Sequence, residues 1–135
     1  MKCYLDVVNI KGILFSGYIK KIHLTSIIGE LDIYAGHAPL LAAIKFGPLC
    51  IVKEDNQKEY IYLSGGILEV QPNIINILSK KAILGSDLNK HEILKQQKII
   101  EQCFISGNLC QTIMNLKIKL AKIISKLKTI EMMKS

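Results

Sequence analysis

Cys50-Ile51-Val52-Lys53-Glu54-Asp55-Asn56-Gln57-Lys58-Glu59-Tyr60-Ile61-Tyr62-Leu63 sets a β-branched run and an aromatic-rich run on either side of the polar stretch Glu54-Asp55-Asn56-Gln57. Two such runs joined by turn residues predict a β-hairpin. The pattern continues in both directions. Ile22-His23-Leu24-Thr25 alternates apolar and polar side chains, and Ile67-Leu68-Glu69-Val70, Ile74 to Leu78 and Ala82 to Leu84 add short strands bounded by Gly65-Gly66, Pro72-Asn73 and Gly85. Short strands punctuated by turns at about eight- to twelve-residue intervals predict a β-sandwich or flattened barrel.

The pattern stops at residue 85. All three prolines and eight of the nine glycines fall at or before Gly85. Beyond it the apolar period changes from two to between three and four, which predicts helices. A first helix is expected from Asn89, whose side chain caps free N–H groups while Glu92 closes a capping box; Leu94, Ile100, Phe104 and their neighbours would form its apolar face. Ser106-Gly107-Asn108 breaks it. Leu109, Ile113, Leu116, Leu120, Ile123, Leu127 and Ile130 then recur at alternating steps of 4 and 3, a heptad seam. At 1.5 Å per residue its rod is roughly 33 Å long, enough to fold back on the first helix or reach a partner. The expected fold is therefore β plus α, divided into residues 1–84 and 85–135.

The 135 residues are half hydrophobic and 21% charged, enough for a real core and incompatible with global disorder. No apolar run approaches the ~18 residues of a membrane span, and Met1-Lys2-Cys3-Tyr4-Leu5-Asp6 has no apolar signal core, so a soluble cytoplasmic chain is expected. The net charge of +7 comes from 18 basic residues, all of them lysine. Without arginine the chain lacks the planar fork that reads guanine edges, which disfavours sequence-specific nucleic-acid recognition. The 24 isoleucines beside those lysines look like a nucleotide-composition bias. Much of the basicity is then background, although the tail holds nine lysines against four acids.

Candidate chemistry is sparse. Cys3, Cys50, Cys103 and Cys110 show no C-x-x-C pair and no zinc-like spacing to histidine, so reduced core cysteines are expected, with a Cys103–Cys110 disulfide conceivable across the helical turn. His23 and His91 are read as solvated. His37 lies in Tyr34-Ala35-Gly36-His37-Ala38-Pro39, a loop whose glycine and proline present side chains, but no base partner or nucleophile can be assigned to it. Ser64-Gly65-Gly66 lacks the lysine and helix of a P-loop and reads as a tight turn. Lys117, Lys119, Lys122, Lys126 and Lys128 form either a solvated face or a surface for an acidic protein partner, because no aromatic residues interleave to stack on bases.

Two stretches carry a resemblance: Gly29-Glu30-Leu31-Asp32-Ile33-Tyr34-Ala35-Gly36-His37-Ala38-Pro39-Leu40-Leu41 and Tyr60-Ile61-Tyr62-Leu63-Ser64-Gly65-Gly66-Ile67-Leu68-Glu69-Val70. With Leu5-Asp6-Val7-Val8 and Phe15-Ser16-Gly17 in the same order, the first 84 residues closely resemble the bacterial F-type ATP synthase epsilon subunit. The resemblance implies a ten-stranded β-sandwich followed by an antiparallel two-helix hairpin. It implies a noncatalytic rotor subunit on the central stalk, joining gamma to the membrane c-ring, peripheral to the cytoplasmic face of a bacterial membrane and without cofactor or metal. The residues matching the family's rotor contacts are Glu30 and His37. The family's hairpin can extend toward the alpha and beta catalytic subunits and inhibit hydrolysis, and Lys117, Lys119, Lys122 and Lys126 would then meet acidic groups. Some members bind ATP through Ile/Leu-Asp-x-x-Arg-Ala. The matching Leu88-Asn89-Lys90-His91-Glu92-Ile93 lacks that aspartate and arginine, so no nucleotide binding is expected. The alternative from another class is a basic nucleic-acid-binding adaptor using the helical tail.

Overall fold

The computed structural model describes residues 2–105 and 110–134, with side chains placed outside 102–116 and 134. The expected break at Ser106-Gly107-Asn108 and the Cys103–Cys110 pair lie outside the described residues or side chains, as do Phe104, Leu109, Ile113 and Leu116. Nine strands run in order: β1 (Cys3–Asn9), β2 (Gly12–Ser26), β3 (Gly29–Tyr34), β4 (Leu40–Ile44), β5 (Gly47–Lys53), β6 (Lys58–Leu63), β7 (Gly66–Val70), β8 (Ile74–Leu78) and β9 (Ala82–Leu84). A 3-10 turn at Gly85–Asp87 leads into α1 (Lys90–Ile105) and α2 (Cys110–Lys134).

The strands are hydrogen-bonded in the order β1-β8-β7-β4-β2-β5-β6-β9, with β3 attached to β2 and β1 also paired to β2. Among the described strands only the β1–β8 pair is parallel. The described residues form nine strands, close to the ten that the resemblance implied, and the long β2 pairs with β1 through Gly12 to Ile19 and with β3 through Lys21 to Ser26, with a register shift against β5 between Ile19 and Lys21. A bulge of this kind bends a strand and lets it change layers.

Alternation decides which residues meet inside. Leu5 and Val7 of β1, Ile22 and Leu24 of β2, Leu49 and Ile51 of β5, Ile61 and Leu63 of β6, and Ile75 and Ile77 of β8 belong to one buried cluster. The Cys50–Leu63 hairpin forms as the sequence predicts, with Lys58 added to its second strand. Its turn closes through bonds from Lys53 N to Gln57 O and from Asn56 N to Lys53 O, both 2.9 Å. Asn56 takes φ 67°, a left-handed conformation that asparagine tolerates. Ser64-Gly65-Gly66 is a strand-to-strand connection, as read from the sequence. A Cβ at Gly66 would overlap the carbonyl oxygen of Leu78 and stand 3.0 Å from its carbonyl carbon, and φ is +141°. Only glycine fits there.

Candidate functional site: docking surfaces of the sandwich and the helical hairpin

The β2–β3 hairpin presents an apolar tip. Buried Ser26 ties it down, its hydroxyl donating to Gly29 O at 2.8 Å and accepting from Ile28 N at 3.2 Å. Ile27 and Ile28 are left 69% and 77% exposed. Below the tip Glu30 stands opposite Thr25 and Asp32 opposite His23. His23 Nδ1 is 2.8 Å from Asp32 Oδ1, and its Nε2 is 4.0 Å from Glu30 Oε1. A carboxylate only accepts, so Nδ1–H is the donor. His23, read as solvated, thus keeps about a third of its side chain exposed (32%) and is in addition paired with exposed carboxylates. Directly opposed and diagonal cross-strand residues meet in this way. The signal was present in the sequence as two facing alternating runs, but it depends on their register.

Glu30, one of the two expected docking residues, lies near the start of β3, and the other, His37, lies just beyond its end. Four strand steps, about 13 Å, separate Glu30 from Tyr34, and His37 lies beyond in the following turn. Gly36, at φ +84°, makes the turn, its N–H donating to Pro72 O at 3.0 Å, while His37 N donates to Tyr34 O at 3.2 Å. His37 Nδ1 is 2.7 Å from Ala38 O and must be the donor, since a carbonyl only accepts. This commits the imidazole to its own loop. Among the described residues no group of three His, Cys, Asp or Glu side chains could hold a metal ion.

The largest feature missed by the sequence reading lies on the outer face of β4, β7, β8 and β1. Register aligns Ala43 with Ile67, Ile67 with Leu78, Leu78 with Val8, and Val8 with Ile13 on β2. Five apolar residues thus form one row across five strands, with Leu41 beside it. Ile13, Leu41, Ile67 and Leu78 are 69%, 72%, 51% and 54% exposed. A shallow groove of about 230 Å³ runs among Val8, Leu41, Ile67, Glu69, Asn76 and Leu78. Each residue alone is an ordinary surface hydrophobe; only their contiguity marks an interaction surface.

The helices pack together and against the sandwich. Ile93 and Ile100 of α1 bury against Ile123 and Ile130 of α2, with Leu120 and Leu127 partly buried beside them. The described part of the heptad seam thus faces α1. Leu94, expected on the apolar face, is 39% exposed. Ile93 takes its place, because Ile93 and Ile100 are seven residues apart and share a stripe that Leu94, one residue round, leaves. The Asn89 side chain caps the helix as expected, its Oδ1 accepting from His91 N at 3.0 Å and Glu92 N at 3.4 Å. Buried Thr129 satisfies its hydroxyl on Ser125 O at 2.9 Å.

The four tail lysines do not share one environment. Lys117 and Lys119 are exposed, whereas Lys122 and Lys126 are half-buried. Lys126 lies over the Tyr62 ring at 5.4 Å from its centroid. Solvation of all four in the folded hairpin is corrected at this residue, because α2 contacts β5 and β6 and carries Lys126 onto the sandwich. Burial, with Lys81 and Lys122 nearby, holds its ammonium below the usual lysine range. Tyr62 is pushed up to about 12 by burial, and its hydroxyl has no hydrogen-bond partner among the described residues. No described helix is long and apolar enough to cross a membrane.

The structure is similar to a chain in the cryo-EM structure of Euglena gracilis mitochondrial ATP synthase, described as OSCP/F1/c-ring in rotational state 1, with a TM-score of 0.79 and 15% identity over 99% of this chain and 82% of that one. It is also similar to a chain in the central stalk/c-ring structure of Tetrahymena thermophila mitochondrial ATP synthase, with a TM-score of 0.63 and 12% identity over 96% of this chain and 97% of that one. These likenesses show a shared fold. The sequence family described as ATP synthase, Delta/Epsilon chain, beta-sandwich domain matches residues 2–85, the nine strands and the first residue beyond them. The chain belongs to the ATP synthase delta/epsilon family.

Proposed function

We propose that this chain is a noncatalytic rotor subunit of a proton-translocating ATP synthase, joining gamma to the c-ring and transmitting rotation between proton flow and ATP synthesis. The observation that carries the reading is the exposed row Ala43, Ile67, Leu78, Val8 and Ile13, with Leu41 beside it. It is an apolar surface on a rigid sheet, fit to bury against an elongated partner such as gamma. The β2–β3 tip supplies a second, separate contact, with Ile27, Ile28 and Glu30 directed toward the c-ring. His37 supports docking from the far end of β3. Two contacts on one rigid body are what a torque-transmitting connector needs.

The hairpin is regulatory in this reading. Extended along gamma, it would bring Lys117, Lys119, Lys122 and Lys126 to acidic groups on the alpha and beta subunits and inhibit hydrolysis. The chain contacts the membrane only through the c-ring. Co-purification tests the whole reading: tagged chain should retain gamma and the c-ring through washing. Failure to retain either, together with salt-sensitive binding to duplex DNA, would favour the nucleic-acid adaptor instead.

A further inference from the structure

The two ring nitrogens of His23 face two different carboxylates. Nδ1–H donates to Asp32 Oδ1 at 2.8 Å, so in the neutral ring Nε2 carries a bare lone pair, 4.0 Å from Glu30 Oε1. Two acceptors that face each other repel. A neutral His23 therefore cannot hold Glu30, whereas a protonated ring has an N–H on that side and draws the carboxylate in. Backbone register fixes this arrangement: His23 lies directly opposite Asp32 and Thr25 directly opposite Glu30, which makes Glu30 the diagonal neighbour of the ring on the same face.

The other groups around the ring come from four elements. On its far side the register sets Cys50 of β5 beside His23, and Tyr60 of β6 beyond Cys50. Along β2 the neighbours on the same face are Lys21 and Thr25, and the Lys21 ammonium lies over the Tyr34 ring of β3 at 5.6 Å. α2 covers β5 and β6 and sets Lys126 over Tyr62, two residues along β6 from Tyr60. Asp32 and Glu30 are the two carboxylates of this set, and among the described residues neither is paired with a lysine. His23 is thus the cation available to them.

We propose that His23 is a positioning residue for rotor docking, which leaves the Glu30 carboxylate free for a partner's hydrogen-bond donor or cation when the ring is neutral and takes it back when the ring is protonated. The inference rests on the docking role given to Glu30 above. Its sign follows from competition. A partner that engages Glu30 removes the acceptor that a protonated ring needs, so the docked state binds the His23 proton less tightly than the free chain does. Docking strengthens as pH rises through the His23 titration and weakens as pH falls through it. Asp32 keeps the ring in place throughout, because Nδ1–H donates to it in both protonation states.

Two measurements on the full chain test this. In the free chain, NMR of the imidazole nitrogens should find neutral His23 in its Nδ1–H form, and the side-chain carboxyl carbon of Glu30 should show a second inflection at the pH where His23 titrates. His23→Gln should remove that inflection. An Nε2–H ring, or a Glu30 signal that does not follow His23, overturns the proposal, and the ring form is read on the natural sequence. For docking the probe is purified c-ring. Affinity should be about two- to fivefold higher at pH ~8 than at pH ~6, the range expected of one exposed pair. The gain should vanish in His23→Gln and in Glu30→Gln, and the double variant should show no more change than either alone. His37 and His91 are also imidazoles, so the variants assign the effect; a pH dependence that survives in His23→Gln overturns the proposal. A chain that binds the c-ring at neither pH overturns the docking reading itself, while the NMR measurement, made without a partner, still decides whether His23 holds Glu30.

Discussion

Replacing Leu41 and Leu78 together by serine tests whether the outer face of β4, β7, β8 and β1 is the main docking surface. Fully burying a leucine side chain is worth about 1.5–3 kcal/mol. Leu41 is 72% and Leu78 54% exposed, so a partner that covers them completes roughly half to three-quarters of that burial. The loss on truncation is then about 1 kcal/mol or slightly more per residue, and about 2 kcal/mol for the pair. This corresponds to roughly a thirtyfold weaker complex. Stability of the free chain should barely change, within about 0.5 kcal/mol, because neither side chain belongs to the core. The assay is titration calorimetry of purified chain against gamma, with urea unfolding of the free variant as control. A dissociation constant within threefold of the natural chain's, at unchanged stability, would refute the assignment of this face.

Four other outcomes are expected. Gly66→Ala should destabilise the chain by about 4 kcal/mol or more, since the added methyl meets the Leu78 backbone, while Gly12→Ala, at φ +131° with nothing within 4 Å, should cost about 1–3 kcal/mol; equal urea midpoints would remove the steric argument. Glu30→Gln and His37→Gln should each weaken rotor assembly by about 1 kcal/mol or less and leave ATP chemistry in assembled enzyme intact, which activity of reconstituted complexes checks. Changing Lys117, Lys119, Lys122 and Lys126 to glutamine should raise ATP hydrolysis at low ionic strength without affecting rotor assembly, because exposed pairs worth ~0.2–1 kcal/mol each are lost from the extended state. Calorimetry with ATP should show no binding in the low micromolar range, since Glu92 would place a negative charge near the phosphates and Asn89 Oδ1 already accepts two helix N–H groups.

Local chemistry was legible in the sequence. The Cys50–Leu63 hairpin, the turn at Ser64-Gly65-Gly66 and the Asn89 cap all depend on residues within a few positions of one another, where glycine, asparagine and polar turns act directly on the backbone. The change of period near Gly85 marked the passage from strands to helices for the same reason. Leu94 was placed wrongly because periodicity gives the width of an apolar stripe less accurately than its existence. Glu30 and His37 were legible as residues of a resembling motif, but their placement near the start of β3 and just beyond its end was not.

The sequence by itself determined the Cys50–Leu63 hairpin and the strands at Ile67–Val70, Ile74–Leu78 and Ala82–Leu84, that strands precede helices, and which family the motifs point to, because short-range sterics and the alternation of apolar residues are written in adjacent letters. Tertiary structure alone decided the surfaces. Ala43, Ile67, Leu78, Val8 and Ile13 become one row only when four pairings between distant segments fix their register. His23 finds Asp32 and Glu30 only across β2 and β3. Lys126 looks like every other tail lysine until α2 settles on β6 and sets it over Tyr62, where lost hydration and neighbouring cations change its chemistry. Register and docking depend on contacts between residues far apart in the chain, and no local pattern encodes which distant partner a side chain will meet.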